Sequence, residues 1–283
     1  MSEIKLFVSC HRACVLPKHE LLVPMQVGAA LTDERFPGFI QDDTGENISA
    51  LNRSYCELTA QYWAWKNCGA DYLGFLHYRR FLYPDLAEKR PYRVEKAADE
   101  ALLERLGFDR FPGLIERCDI IAPLGENMYV SVRDHYSAAP NHRGEDLARM
   151  ERILHEREPA YADAMERYFS GTIHYFGNLF VMKREIFVDY CAWLFPLLEE
   201  FDRQTDMSGC SAQEKRVDGY LAERLFGVFY TYNRNRLSTR ELPRVFVEPN
   251  PRRRQMRRLE IALLPPGSKR RAAVKALLKS QNE

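Results

Sequence analysis

Two short apolar runs in this chain end in the same manner, and that ending constrains the fold more than any other feature. Leu6-Phe7-Val8 breaks into Cys10-His11-Arg12, and the run from Tyr72 to Leu76 breaks into His77-Tyr78-Arg79-Arg80. A short buried run suits a strand inside a parallel sheet. Polar groups where such a strand leaves the sheet lie at its carboxyl edge, where open α/β folds bind ligands. Between the two runs, residues 28 to 46 are rich in Gly, Asp, Thr and Pro without a sustained period, which predicts a loop. Ile48, Leu51, Tyr55, Leu58, Tyr62 and Trp65 then recur at helical spacing. They predict one helix, with Asn47 or Thr44 as its cap and Gly69 as its stop. Tyr62, Trp63 and Trp65 on that helix suit the core better than a sugar platform.

Further along, residues 82 to 110 form a polar, helix-leaning insertion. Cys118 to Pro123 and Asn178 to Met182 are strand-like, and helices are expected over 146–156, 160–169, 183–200 and 217–230. At 46% hydrophobic and 29% charged residues the chain is globular in composition, which excludes disordered and fibrous classes. Its longest apolar run, Tyr190 to Leu198, is far below the roughly 20 residues a bilayer span requires. The apolar stretch near Met1 is too short for a signal-peptide core. A cytoplasmic protein, with its seven cysteines reduced, is the expectation.

No P-loop, GxGxxG or GxSxG sequence occurs. Cys10, His11, Cys14 and His19 invite zinc, but Cys56 and Cys68 do not supply the second ligand pair a structural site wants. The cluster His77-Tyr78-Arg79-Arg80 carries more information. Two guanidiniums and an imidazole at a strand end suit an anion such as a diphosphate, although the same residues also suit a solvated turn.

The runs DDTGENIS, NRSYCELTAQYWAWKN and DYLGFLHYRR are followed in order by ENMYVSVRDHY, NLFVMKREIFVDYCAWLF and GYLAERL. Together they resemble a bacterial family first catalogued as a domain of unknown function and found in capsular and O-antigen polysaccharide gene clusters, whose members look like glycosyltransferases. The resemblance covers about residues 4 to 232. It implies an α/β, GT-A-like single domain over residues 1–250, with a central, mostly parallel sheet flanked by helices. It also implies a UDP-sugar donor, with galactose or galactofuranose as the sugar, and transfer to a lipid-linked capsule or O-antigen intermediate; inversion is the expected outcome, although the residues themselves do not fix it.

On that resemblance the donor side comprises Asp43, Thr44, Gly45, Asn47, Asn52, His77, Arg79 and Arg80. Where GT-A enzymes carry an Asp-x-Asp metal motif, this chain has His77-Tyr78-Arg79. The expectation is therefore catalysis that requires no metal, the cationic side chains neutralising the departing diphosphate. The alternative is manganese or magnesium held by His77 with Asp42 or Asp43. Glu223 in GYLAERL is the first candidate for the general base and Asp218 the second, with Asp134 and Asp146 behind them. His135, Tyr136, His142, Asp146 and Asn178 are expected to line the acceptor or sugar subsite.

Residues 251–283 hold ten Lys or Arg against two Glu, a net +8 that leaves −7 for residues 1–250. Ile261, Ala262, Leu263 and Leu264, then Ala273, Val274, Leu277 and Leu278, alternate with these basic clusters. The pattern suits an amphipathic tail on the anionic inner face of the plasma membrane, in line with a lipid-linked acceptor; nucleic acid is not the expected partner. The competing function is a non-catalytic polyanion-binding protein that uses the tail and His77 to Arg80.

Overall fold

A computed structural model describes residues 2–280, with side chains described to residue 274. The strands are β1 (Ile4–Cys10), β2 (Leu22–Gln26), β3 (Ile40–Gln41), β4 (Tyr72–His77), β5 (Arg80–Leu82), β6 (Tyr92–Glu95), β7 (Ile120–Pro123), β8 (Glu126–Asn127), β9 (Ile173–His174), β10 (Phe180–Lys183), β11 (Thr239–Leu242) and β12 (Arg244–Val247). The helices are α1 (Asn52–Tyr55), α2 (Leu58–Asn67), α3 (Glu100–Arg105), α4 (Phe111–Ile115), α5 (Val132–Ala138), α6 (Gly144–Arg157), α7 (Ala162–Phe169), α8 (Arg184–Gln204), α9 (Val217–Asn233), α10 (Pro251–Leu263) and α11 (Lys269–Ser280).

The main sheet runs β11-β7-β10-β4-β1-β2-β3. Strand β10 is antiparallel to both its neighbours, and the other pairings along this path are parallel. Burial on both faces explains why the runs in β1 and β4 are continuously apolar. Phe7, Leu73, Phe75, Phe180 and Met182 point into one core with α2 and α6 to α9. Leu6, Val8, Tyr72, Leu76 and Val181 point into the other, beneath α3 and α4. Adjacent residues of one strand feeding opposite cores is the period-2 alternation of a pleated sheet. The expected architecture, a central and mostly parallel sheet flanked by helices, is present.

Three local expectations are corrected. The insertion at 82–110 is not merely helix-leaning: β5 and β6 lie in and beside it, and β12 joins them to the main sheet through β5 and β4. The loop at 28–46 contains the short strand β3. The single helix expected after Asn47 is broken between α1 and α2, where Cys56 adopts φ 52°. Asn52 stabilises the break, its Nδ2 donating to the Cys56 carbonyl at 2.6 Å and to Thr59 Oγ1 at 3.0 Å. Neither expected cap serves the helix. Asn47 Oδ1 accepts from the Ser49 amide, while Thr44 Oγ1 accepts from the Trp63 indole. Tyr62 and Trp65 pack against Phe195 of α8, as core aromatics do.

Gly227 sits where α9 meets α7, and a Cβ there would overlap the buried ring of Tyr168. In Gly227→Ala, overpacking costs about 1–3 kcal/mol and outweighs the ~1 kcal/mol gained in helix propensity. Thermal unfolding should show a lower Tm; an unchanged or higher Tm would contradict this packing.

Candidate active site

Strands β1 and β4 run parallel with Ser9 level with His77, so their polar ends emerge side by side. Antiparallel β10 begins at the same edge: Phe180 pairs with Phe75, and continuing that register brings Asn178 level with His77. The helix break and the start of α9 close the space in front of these ends. The result is a cleft of about 500 Å³ whose walls include Ser9, His11, His77, Asn52, Arg53, Cys56, Glu57, Lys215 and Arg216.

The cleft is cationic. Arg53, Lys215 and Arg216 have no carboxylate partner within salt-bridge distance among the described residues. Arg216 is held by other means, donating from Nε to Cys56 Sγ at 3.3 Å and from Nη1 to Gln213 Oε1 at 3.4 Å, with its guanidinium 5.8 Å from the Tyr220 ring. An unneutralised cluster of cations in a concave site raises the local concentration of anions.

His77 differs from the cationic role expected of it. Burial, with Arg80, His11, Arg79 and Arg216 nearby, pushes its pKa down to about 3, so the ring is neutral. The Arg79 amide donates to its Nδ1 at 3.2 Å, which puts the proton of the neutral ring on Nε2. His77 is therefore a neutral N–H donor. His11, its ring 6.2 Å away, is likewise pushed down by burial and by Arg12, Arg216 and Arg79.

The rest of the expected donor set divides. Asn52 lines the cleft, and its side chain holds the helix break. Arg79 is the second residue of the two-residue turn between β4 and β5, and Arg80, which pairs with His77 across that turn, lines a second cavity of about 270 Å³. Asp43, Thr44, Gly45 and Asn47 lie outside the lining of both cavities. Asp43 pairs with Arg35 at 2.9 Å, Asn47 braces Ser49, and Gly45 has φ 57° with Asn67 packed against it. These residues stabilise the loop that supports the cleft. Asp42 is fully buried and accepts from the Gly28 and Ala29 amides and from Ser49 Oγ. With Asp42 and Asp43 so engaged, the donor set proposed for a divalent ion with His77 does not converge. Nor does the zinc set: Cys10 and Cys14 approach to 3.4 Å, but His19 turns to Asp109 and His11 to the cleft.

Glu223 lines the second cavity with Arg80, Gly177 and Arg244. Both its oxygens are engaged, Oε1 by the Gly177 amide at 2.5 Å and Oε2 by Arg224 Nη1 at 2.6 Å. Asp218 is a correction. It is fully buried, accepts from Ser54 Oγ, and holds its proton because burial and the neighbouring Asp202 push its pKa up to about 8. A base that no ligand can reach does not fit the second place assigned to it. Asp146 is buried in an ion pair with Arg143 at 2.5 Å, and Tyr136 is buried with Arg224 5.1 Å from its ring, so neither presents a face to a sugar. Asp134 is exposed and occupied in capping α5 with Ser131.

His142 stacks on Tyr220 at 4.1 Å. His135 instead lines a separate, largely apolar cavity beside the C-terminal helices. Asn178 does stand at the site, buried, donating from Nδ2 to Glu57 Oε1 at 3.0 Å and to the Gly219 carbonyl at 3.1 Å. The residues that sequence patterning missed are Glu57, Arg53, Lys215 and Arg216. A cation pair directly ahead of a helix, Lys215-Arg216, was the available signal for two of them.

Asp218 generates a test. A carboxyl whose folded pKa lies above its unfolded value weakens the fold progressively as pH rises from about 4 to about 8. Asp218→Asn removes that loss. The variant's Tm relative to the native protein should rise steadily from pH 5 to pH 8; a difference independent of pH would contradict the buried, protonated assignment.

Comparison with known proteins is consistent with this geometry. A search of curated proteins finds no match. Among solved structures, the apo structure of WbbM, a bifunctional glycosyltransferase, superposes with a TM-score of 0.82 at 33% sequence identity over 87% of this chain. The match takes in 45% of the WbbM chain, so this protein spans less than half of that longer one. The family model described as "Domain of unknown function (DUF4422)" matches residues 5–234, which include the cleft and everything that supports it. The chain belongs to the DUF4422 family.

Proposed function

We propose that this chain is a glycosyltransferase whose nucleotide-sugar donor lies with its diphosphate in the cationic cleft. The carrying observation is the set Arg53, Lys215 and Arg216, without carboxylate partners and facing the ends of β1 and β4. Similarity to WbbM supports the reaction class. As the bond to the sugar breaks, negative charge grows on the departing diphosphate. Fixed guanidinium and ammonium groups stabilise that charge, with the Nε2–H of His77 as a neutral donor beside them. In this reading the reaction needs no metal. UDP-galactose or UDP-galactofuranose is the donor, and inversion is the outcome.

The acceptor in this reading is a lipid-linked polysaccharide intermediate, and the C-terminal helices support it. Helix α10 engages the body through Arg254, Arg257 and Arg258. Arg258 donates to the Val94 carbonyl, Arg254 to those of Glu248 and Pro249, and Arg257 lies 4.5 Å from the Phe246 ring. Its apolar stripe faces outward instead, with Met256, Leu259 and Leu263 each more than half exposed. Flanked by Arg252, Arg253, Lys269 and Arg270, the stripe suits shallow insertion into an anionic bilayer surface. No helix among the described residues is long and apolar enough to cross a membrane. The side chains of Leu277 and Leu278, also expected on this face, lie outside the described residues.

Two sets of substitutions separate the cleft from the stripe. Lys215→Ala with Arg216→Ala removes charge-assisted contacts of about 1.5–3 kcal/mol each, so UDP binding by calorimetry should weaken at least tenfold while attachment to phosphatidylglycerol vesicles persists. Replacing Met256, Leu259 and Leu263 by Ser should release the protein from vesicles and leave UDP affinity intact. The competing reading, a non-catalytic polyanion binder, predicts salt-sensitive nucleic-acid binding and no selective affinity for UDP.

A further inference from the structure

We propose that Glu57 is the general base that takes the proton of the acceptor hydroxyl, and that Asn178 positions it. The proposal rests on the transferase reading above and identifies the one group in the cleft suited to the second half of the reaction. An inverting transfer needs a carboxylate or imidazole at the face opposite the leaving group. Both imidazoles at the cleft are hemmed in by cations, and Glu57 is the acidic side chain in the cleft wall.

Its placement is built. Glu57 stands immediately after Cys56, so the break in the helix turns it into the cleft at the start of α2. Asn178 Nδ2 holds Oε1, and the same amide nitrogen is tied to the Gly219 carbonyl of α9. Asn178 itself sits at φ 50° after Gly177 at φ 101°. Left-handed backbone at a non-glycine residue is held only where its surroundings determine it. This turn organises two carboxylates at once: the Gly177 amide takes Glu223, and the Asn178 side chain takes Glu57. Glu223 is then held by Arg224 as well and faces the smaller cavity, so its place as first candidate base passes to Glu57.

The electrostatics agree with this geometry. Burial pushes the Glu57 pKa up, Glu223 adds to the rise, and the hydrogen bond from Asn178 and the charge of Arg80 act against it. Cys56, Arg216 and Tyr220 also lie within electrostatic reach. A raised carboxylate is a stronger base than an exposed one. In the step itself the acceptor oxygen forms a bond to the anomeric carbon as its proton passes to the Glu57 carboxylate. The bond from the anomeric carbon to the phosphate oxygen breaks, its electron pair leaves with UDP, and Glu57 returns the proton to solvent.

The test measures UDP release from UDP-galactose and from UDP-galactofuranose, with octyl β-galactoside as acceptor probe, for the native protein, Glu57→Gln, Glu57→Asp and Glu223→Gln. UDP affinity by calorimetry monitors the integrity of the cleft. Glu57→Gln should lose about 10²–10⁴ in kcat while its UDP affinity stays within threefold of native. Glu57→Asp should recover part of that loss, and Glu223→Gln should retain more activity than Glu57→Gln. The native rate should fall as pH drops through the raised pKa of Glu57, and that limb should be absent from the residual rate of Glu57→Gln. Native turnover with Glu57→Gln within tenfold of it, or an acid limb that persists in the variant, would overturn the assignment of the base alone. A native protein that neither binds UDP nor releases it from either donor would overturn the transferase reading, and the base with it.

Discussion

The positive φ of Cys56 is the constraint on which the cleft depends. A residue of this kind inside a helical sequence is strained, and strain of about 1–3 kcal/mol persists only where neighbours over-determine it. Here they do. Asn52 binds the Cys56 carbonyl, and Arg216 donates to its sulfur. Gly219 offers a surface on which any side chain would press against the cysteine. Release of the break would return α1 and α2 to one helix, carry Glu57 out of the cleft and separate Arg216 from its anchor.

That dependence joins two distant parts of the chain at the carboxyl edge of the sheet. The α1–α2 break supplies Asn52, Arg53 and Glu57, and the turn leading into α9 supplies Lys215 and Arg216. Asn178 stitches them, bound to Glu57 on one side and to Gly219 on the other. The parallel strands contribute position more than charge. His77 stands in the midst of arginines, and burial there favours the neutral ring, so Arg53, Lys215 and Arg216 rather than the imidazole carry the positive charge of the cleft.

This division explains what was legible in the sequence. The strands β1, β4 and β7 and the long helices α6, α8 and α9 follow from hydrophobic period, because each buries a regular face. The carboxyl-edge cluster at His77 was legible for the same reason. The break at Cys56 was not: the run Asn52-Arg53-Ser54-Tyr55-Cys56-Glu57 contains no Gly or Pro, and the residue that makes room for the break is Gly219, on another helix. Glu57 was hidden with it. Strands β11 and β12 also escaped: Thr239-Arg240-Glu241-Leu242 carries two charged residues and Arg244-Val245-Phe246-Val247 opens on one, so neither shows the uninterrupted apolar run that marks the equally short β7. Asp218, Asp146 and Tyr136, expected at the site, are buried in the core, and a polar residue in a motif looks the same in sequence whether it faces a ligand or a core. Burial alone separates the two cases.

In the transferase reading the cleft between the Cys56 break and the start of α9 holds a nucleoside diphosphate. A crystal structure of the protein with UDP tests it most directly. The diphosphate should lie within hydrogen-bond distance of Arg216 and of His77 Nε2, with Glu57 on the open side of the cleft. UDP bound instead in the cavity at Glu223 and Arg244, or along the arginines of α10, would contradict it.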